Sequence, residues 1–156
     1  MQERSRKEKN ILYIVVPCYN EEQVLAETSK RLKEKCEMLI HDGKIAKESR
    51  IVFVDDGSKD HTWNMIDEFH KMDSIFSGVK LSRNRGHQNA LLAGLTMASE
   101  KADIVISMDA DLQDDINAVD QMIEKYYEGC DIVYVFEVLE IQIHFLSVLR
   151  QKHFIN

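Results

Sequence analysis

Cysteine, proline and long apolar runs are all scarce in this 156-residue chain. The three cysteines, Cys18, Cys36 and Cys130, are too few and too scattered for a disulfide framework or a zinc site. A reducing, cytoplasmic compartment fits that usage. No run reaches the roughly 18 apolar residues of a membrane span. The most apolar late stretch, Ile132 to Leu149, is interrupted by Glu137, Glu140 and His144, so no transmembrane segment is expected. Excess positive charge is missing too: the net charge of −7 argues against a nucleic-acid surface, which needs a basic face. The opening MQERSRKEKN lacks the apolar core of a signal peptide and reads as a flexible, solvated tail over residues 1–10.

What is present is an alternation of two periods. Strand-like runs fall at Ile11–Pro17, Ile51–Val54, Gly78–Leu81, Asp103–Met108 and Asp131–Val135. Helical patterns lie between them, at Glu21–Ile40, Thr62–Lys71, Gly86–Ser99 and Ile116–Glu128. Val24, Leu25, Leu32, Cys36 and Leu39 recur at helical spacing in the first of these, and Ala90, Leu91, Gly94, Leu95 and Ala98 in the third. Strand alternating with helix predicts an α/β fold, a mostly parallel sheet with helices on both faces. The length suits one such domain, over residues 11–135.

Open parallel sheets bind ligands at the C-terminal ends of their strands, and the polar clusters sit there. Pro17-Cys18-Tyr19-Asn20-Glu21-Glu22 follows the first strand. The only proline, Pro17, stiffens that loop. A bland reading gives it only a cap at Asn20 and glutamates that favour a helix start. Asp55-Asp56-Gly57-Ser58 follows the second strand, where Asp and Ser could do no more than cap a helix. In the functional reading Asp56 accepts a hydrogen bond from a nucleobase N–H and Gly57 lets the ligand approach. After the third strand comes Ser82-Arg83-Asn84-Arg85-Gly86; Arg83 is the candidate ligand and one of the two arginines is simply solvated. His87 reads as a helix-start residue.

Asp109-Ala110-Asp111 closes the apolar run ADIVISMDADLQDD after the fourth strand. If the strand continued through the triplet, Asp109 and Asp111 would project to one side about 7 Å apart. Two such carboxylates can hold a divalent cation and, through it, a diphosphate. Magnesium takes one or two carboxylates and completes its shell with water and phosphate. The alternative is an acidic loop before a helix beginning at Asp114-Asp115.

Taken in order, PCYNEE, IVFVDDGSKDHTW, LSRNRGHQNALLAGL and ISMDADLQDD resemble the family 2 inverting glycosyltransferases, and in particular the polyprenyl-phosphate branch that includes dolichyl-phosphate mannose synthases. The resemblance runs from about Ile11 to Val135. It implies a GT-A fold and an enzyme that moves a sugar from a nucleotide-diphospho-sugar, UDP-glucose-like, to a polyprenyl phosphate. By motif position Pro17, Tyr19, Glu21, Val54 and Asp56 line the nucleoside pocket, with Asn20, Asp55 and Arg83 beside them. Asp109 and Ala110 meet the ribose and diphosphate. Asp111 and Gln113, with Asp109, take Mg2+ or Mn2+, and Asp111 carries the catalytic role. Where many relatives have His-Pro or Asp-Pro after the glutamine, this chain has Asp114-Asp115. A family 2 transferase acting on a soluble glycan in cell-surface polysaccharide synthesis, and a non-catalytic nucleotide-sugar-binding remnant, are the alternatives.

The resemblance stops after Tyr134. Relatives continue with a basic Gly-x-Arg-x-x-Arg-x-x-Asp segment and membrane-associated helices, whereas this chain has VFEVLEIQIHFLSVLRQKHFIN. Synonymous codons exist which, shifted by one base, spell the family's basic segment, with one G restored before Val135. Residues 136–156 are therefore expected to be a frameshifted tail on a truncated gene, a reading the coding DNA decides.

Overall fold

The computed structural model describes residues 10–135 and 146–150. Ten elements follow in chain order: β1 (Leu12–Cys18), α1 (Leu25–His41), β2 (Arg50–Asp55), α2 (Thr62–Met72), β3 (Phe76–Lys80), α3 (His87–Ser99), β4 (Ile104–Ser107), α4 (Ala118–Tyr127), β5 (Ile132–Val135) and β6 (Leu146–Arg150). The strands form one sheet in the order β3-β2-β1-β4-β6-β5. β1 lies parallel to β2 and β4, and β2 lies parallel to β3. β6 runs antiparallel between β4 and β5. The mostly parallel α/β expectation holds, with β6 as a strand the sequence did not announce. The remainder of the anticipated tail, 136–145 and 151–156, lies outside the described residues, as does most of the 1–10 segment.

Why the strands are central is visible in their burial. Ile14, Val15, Val16, Ile51, Val52, Phe53 and Val54 are wholly enclosed, as expected of parallel strands covered on both faces. On one face α1, α2 and α4 deliver Leu25, Leu32, Leu39, Ile66 and Met122 to a core around Ile14, Phe53 and Ile106. The other face is packed by α3 against Val15, Val52, Val54 and Val105. Its sheet-facing stripe is Ala90, Gly94 and Ala98, small residues four apart, which lets the helix axis come close. A Cβ at Gly94 would run into the side chains of Val15 and Val54, the latter at 2.7 Å.

Most of the expected boundaries shift by one or more residues. Glu21 to Val24 is a turn, with Val24 and Leu25 N–H both donating to the Glu21 carbonyl, so α1 starts at Leu25. β3 begins at Phe76, because Ile75 and Phe76 are the buried residues of that segment. β4 stops at Ser107, and α4 starts at Ala118 instead of Ile116. A buried lysine joins α1 to α4: Lys35 Nζ lies 2.7 Å from Asp120 Oδ2 and 3.2 Å from Asn117 Oδ1. Lys44 reaches the other oxygen of Asp120 at 3.2 Å.

Candidate functional site

Three loops meet at the C-terminal ends of β1, β2 and β3, and backbone hydrogen bonds lace them together. Asn20 N–H donates to Ser58 Oγ at 3.0 Å, and its own Oδ1 accepts Lys59 N–H at 2.8 Å. Asn20 sits at φ 55, a left-handed conformation that Asn tolerates better than most residues. Glu21 N–H donates to Thr62 Oγ1 at 2.8 Å. Asp60 accepts Glu22 N–H on one oxygen and Thr62 N–H on the other. These bonds keep the Asp60 carboxyl below its ordinary value, although burial pushes it upward. Asp60 thus braces the first loop and, through Thr62 N–H, the turn that leads into α2.

Asp56 is held by two backbone N–H groups of the loop before α3. It is 2% exposed, and its two oxygens accept Arg85 N–H at 2.6 Å and Gly86 N–H at 2.9 Å. In this conformation its carboxylate ties down the loop before α3. Gly57 permits the approach: at φ 70, a Cβ there would lie 2.5 Å from Asn84 N and 2.6 Å from the Arg83 carbonyl carbon. Val54 and Asp55 are both fully buried. Val54 belongs to the core under α3. Asp55 Oδ1 accepts Ser58 N–H at 3.2 Å, while its Oδ2 has no partner.

The acidic triplet lies beyond the strand, which corrects the alternating-face argument made for it. Asp109 to Asp111 form a turn after β4, shaped by Leu112 at φ 57 and by Gln113 N–H donating to Asp111 Oδ1 at 3.1 Å. Two contacts fix the turn. Thr28 Oγ1 of α1 donates to the Ala110 carbonyl at 2.6 Å, and buried Asp114 accepts Asp109 N–H on Oδ2 at 2.9 Å. Asp114, read from sequence as a helix start, is therefore a brace for the triplet. Ala110 is buried, whereas Asp111 and Gln113 are exposed and Asp109 is partly so.

Electrostatics join the first loop to the triplet. Burial, and then the negative charges of Asp111, Asp60 and Asp109, push the Glu21 carboxyl above its ordinary value. Glu21 thus feels the charge of three other acids, and a cation nearby would relieve that repulsion. Among the described residues no three His, Cys, Asp or Glu side chains converge as a closed metal centre. An open site with two carboxylates, the Gln113 amide, water and a phosphate is the arrangement a hard divalent cation accepts, so the residues fit such an ion. Tyr19, 39% exposed, and the exposed Arg83 flank the loops. Pro17, His87, Leu91, Ser107, Met108 and Asp109 enclose a small cavity of about 40 Å³.

Comparison with known proteins defines the class first. The mannosyltransferase PcManGT of Pyrobaculum calidifontis, solved with GDP-Man and Mn2+, superposes with a TM-score of 0.70 at 19% identity, over 92% of this chain and 45% of that one. Staphylococcus aureus TarS 1–349 in complex with UDP gives a TM-score of 0.59 at 19% identity, over 86% of this chain and 38% of that one. The fold is of the GT-A type. The Glycosyl transferase family 2 profile matches residues 13–153, and the chain belongs to that family. The glycosyltransferase YkoT of Bacillus subtilis, itself uncharacterized, is 51% identical over 129 residues, 83% of this chain and 38% of that protein. The bactoprenol glucosyl transferase of Shigella phage SfV is 38% identical over 120 residues, 77% of this chain and 36% of that protein. The chain thus spans little more than a third of the length of these relatives. Among the described residues no helix is long and apolar enough to cross a membrane.

Proposed function

We propose that this chain is the donor-binding part of an inverting glycosyltransferase that moves a sugar from a nucleoside-diphospho-sugar to a polyprenyl phosphate. The observation that carries the reading is the acidic turn after β4, held in place by Thr28 and Asp114, with Glu21 of the first loop near enough to feel the charges of Asp111 and Asp109. Such a cluster suits a magnesium- or manganese-bound diphosphate better than a neutral ligand. The relatives that act on undecaprenyl phosphate or bactoprenol give the acceptor class. A polyprenyl-phosphate acceptor would place the protein at the cytoplasmic surface of a membrane.

The residues divide the work. Asp109, Asp111 and Gln113 would hold the cation, which when bound neutralises charge growing on the departing diphosphate. Thr28 and Asp114 keep that turn in place through Ala110 and the Asp109 N–H. Tyr19, Asn20 and Arg83 border the nucleoside side, and Asp56 sets the loop that closes it. An acceptor phosphate is already anionic, so the transfer has little need of a general base.

Titrating the chain with UDP-glucose and GDP-mannose, each with and without Mn2+, tests the reading. Saturable binding of one donor that requires the metal supports it. Absence of binding by both, or binding indifferent to Mn2+, overturns it.

A further inference from the structure

His87 is the first residue of α3, and its Nε2 lies 3.9 Å from Asp109 Oδ1. The two side chains are 59% and 47% exposed, so both face open space. Together with Pro17, Leu91, Ser107 and Met108 they wall the small cavity beside the acidic turn. A Cβ at Gly86, the residue before His87, would meet nothing within 4 Å, so the backbone there faces open space. Gly86 gives α3 no side-chain cap, and only Asn89 and Ala90 N–H turn back to the Gly86 carbonyl. The helix start therefore presents positive partial charge beside His87.

An anionic diphosphate entering this place meets Glu21, Asp60, Asp109 and Asp111, all acidic. A cation on the carboxylates answers part of that. The imidazole beside Asp109 is a side chain at this cavity able to donate a hydrogen bond to a phosphoryl oxygen. We propose that His87 is a phosphate-binding residue of the donor site, donating a ring N–H to the diphosphate beside Asp109. The inference rests on the donor-site reading and adds to it a residue that the motif comparison leaves out. Asp109 would then serve both groups, as a holder of the cation and as the neighbour of the imidazole. His87 touches the diphosphate and not the base, so its contribution belongs to nucleotides carrying a second phosphate.

The test is calorimetric titration of the full chain with UDP, GDP, uridine and guanosine in Mn2+, for wild type, His87→Ala and His87→Gln. His87→Ala is expected to weaken binding of the preferred diphosphate about tenfold, the effect of losing one hydrogen bond to a charged group. Nucleoside affinity and the Mn2+ affinity of the nucleotide-free protein should not change. His87→Gln, which keeps a donor, should recover part of the loss. Equal diphosphate binding by wild type and His87→Ala overturns the role while leaving the donor site intact. Equal weakening of nucleoside and diphosphate also overturns it, since that pattern marks a structural effect. A wild-type chain that binds neither diphosphate overturns the donor site and the His87 role together.

Discussion

Replacing Gly57 with alanine should loosen three loops at once, and the size of the effect follows from the distances. The new Cβ would sit 2.5 Å from Asn84 N, where ordinary contact begins at 3.4 Å, so the backbone before α3 must retreat by about 0.9 Å. A retreat of that size would stretch the Arg85 N–H to Asp56 Oδ1 separation from 2.6 Å to about 3.5 Å, beyond hydrogen-bond range. Losing one hydrogen bond to a buried carboxylate costs about 1.5–3 kcal/mol. Holding alanine at φ 70 adds roughly 1 kcal/mol. A loss of about 3 kcal/mol is therefore expected in urea unfolding, seen as a lower midpoint with an unchanged slope. Asp56→Asn should weaken the same tether with no clash. If Gly57→Ala unfolds within about 0.5 kcal/mol of wild type, the stitched-loop description is wrong.

Other consequences are equally open to measurement. Asp120→Ala leaves the Lys35 ammonium, 7% exposed, without its carboxylate and should cost about 3 kcal/mol in chemical unfolding; a loss below about 1 kcal/mol would show that the pair is not holding α1 to α4. Burial raises Asp120, but hydrogen bonds from Lys35 and Lys44 prevail and hold its carboxyl low. Its stabilisation is therefore full above the ordinary value of 3.8 and is lost as pH falls through the depressed one, so Asp120→Ala should flatten the acid limb of the stability curve. Gly94→Ala should destabilise by about 1–3 kcal/mol through collision with Val15 and Val54, even though alanine is the better helix former by about 1 kcal/mol; a stabilised variant would refute the close packing of α3. Glu21, raised in the folded chain, weakens stability as pH climbs from 4.5 through its elevated value. Glu21→Gln should therefore raise the metal-free melting temperature slightly at neutral pH and shrink the gain from Mn2+, and a lower melting temperature would contradict the crowded-acid account.

Local pattern carried most of the fold. The apolar runs of β1, β2 and β4 and the small stripe of α3 each declare their element within a few residues, and the ligand side follows from parallel topology. β6 is hidden because Leu146–Arg150 gains its partners, β4 and β5, only through tertiary pairing. The acidic turn was visible as composition, but its shape was not. Its geometry depends on Leu112 in a left-handed conformation and on Thr28, which is 82 residues away from Ala110 in sequence. Asp56 shows the same limit. Nothing near it in the chain says that its oxygens will meet the Arg85 and Gly86 N–H groups. His87 met Asp109 only once α3 was packed beside β4.

The central claim is that the turn after β4 binds a nucleoside diphosphate through a divalent cation, and Asp111 tests it most directly. Asp111 is exposed and contributes one local hydrogen bond, from Gln113 N–H, so Asp111→Ala should fold as wild type does. Calorimetric titration with UDP and GDP in Mn2+ should then show affinity falling at least about tenfold in the variant, to the level wild type shows in EDTA. Undiminished, Mn2+-dependent binding by a folded Asp111→Ala chain would contradict the account.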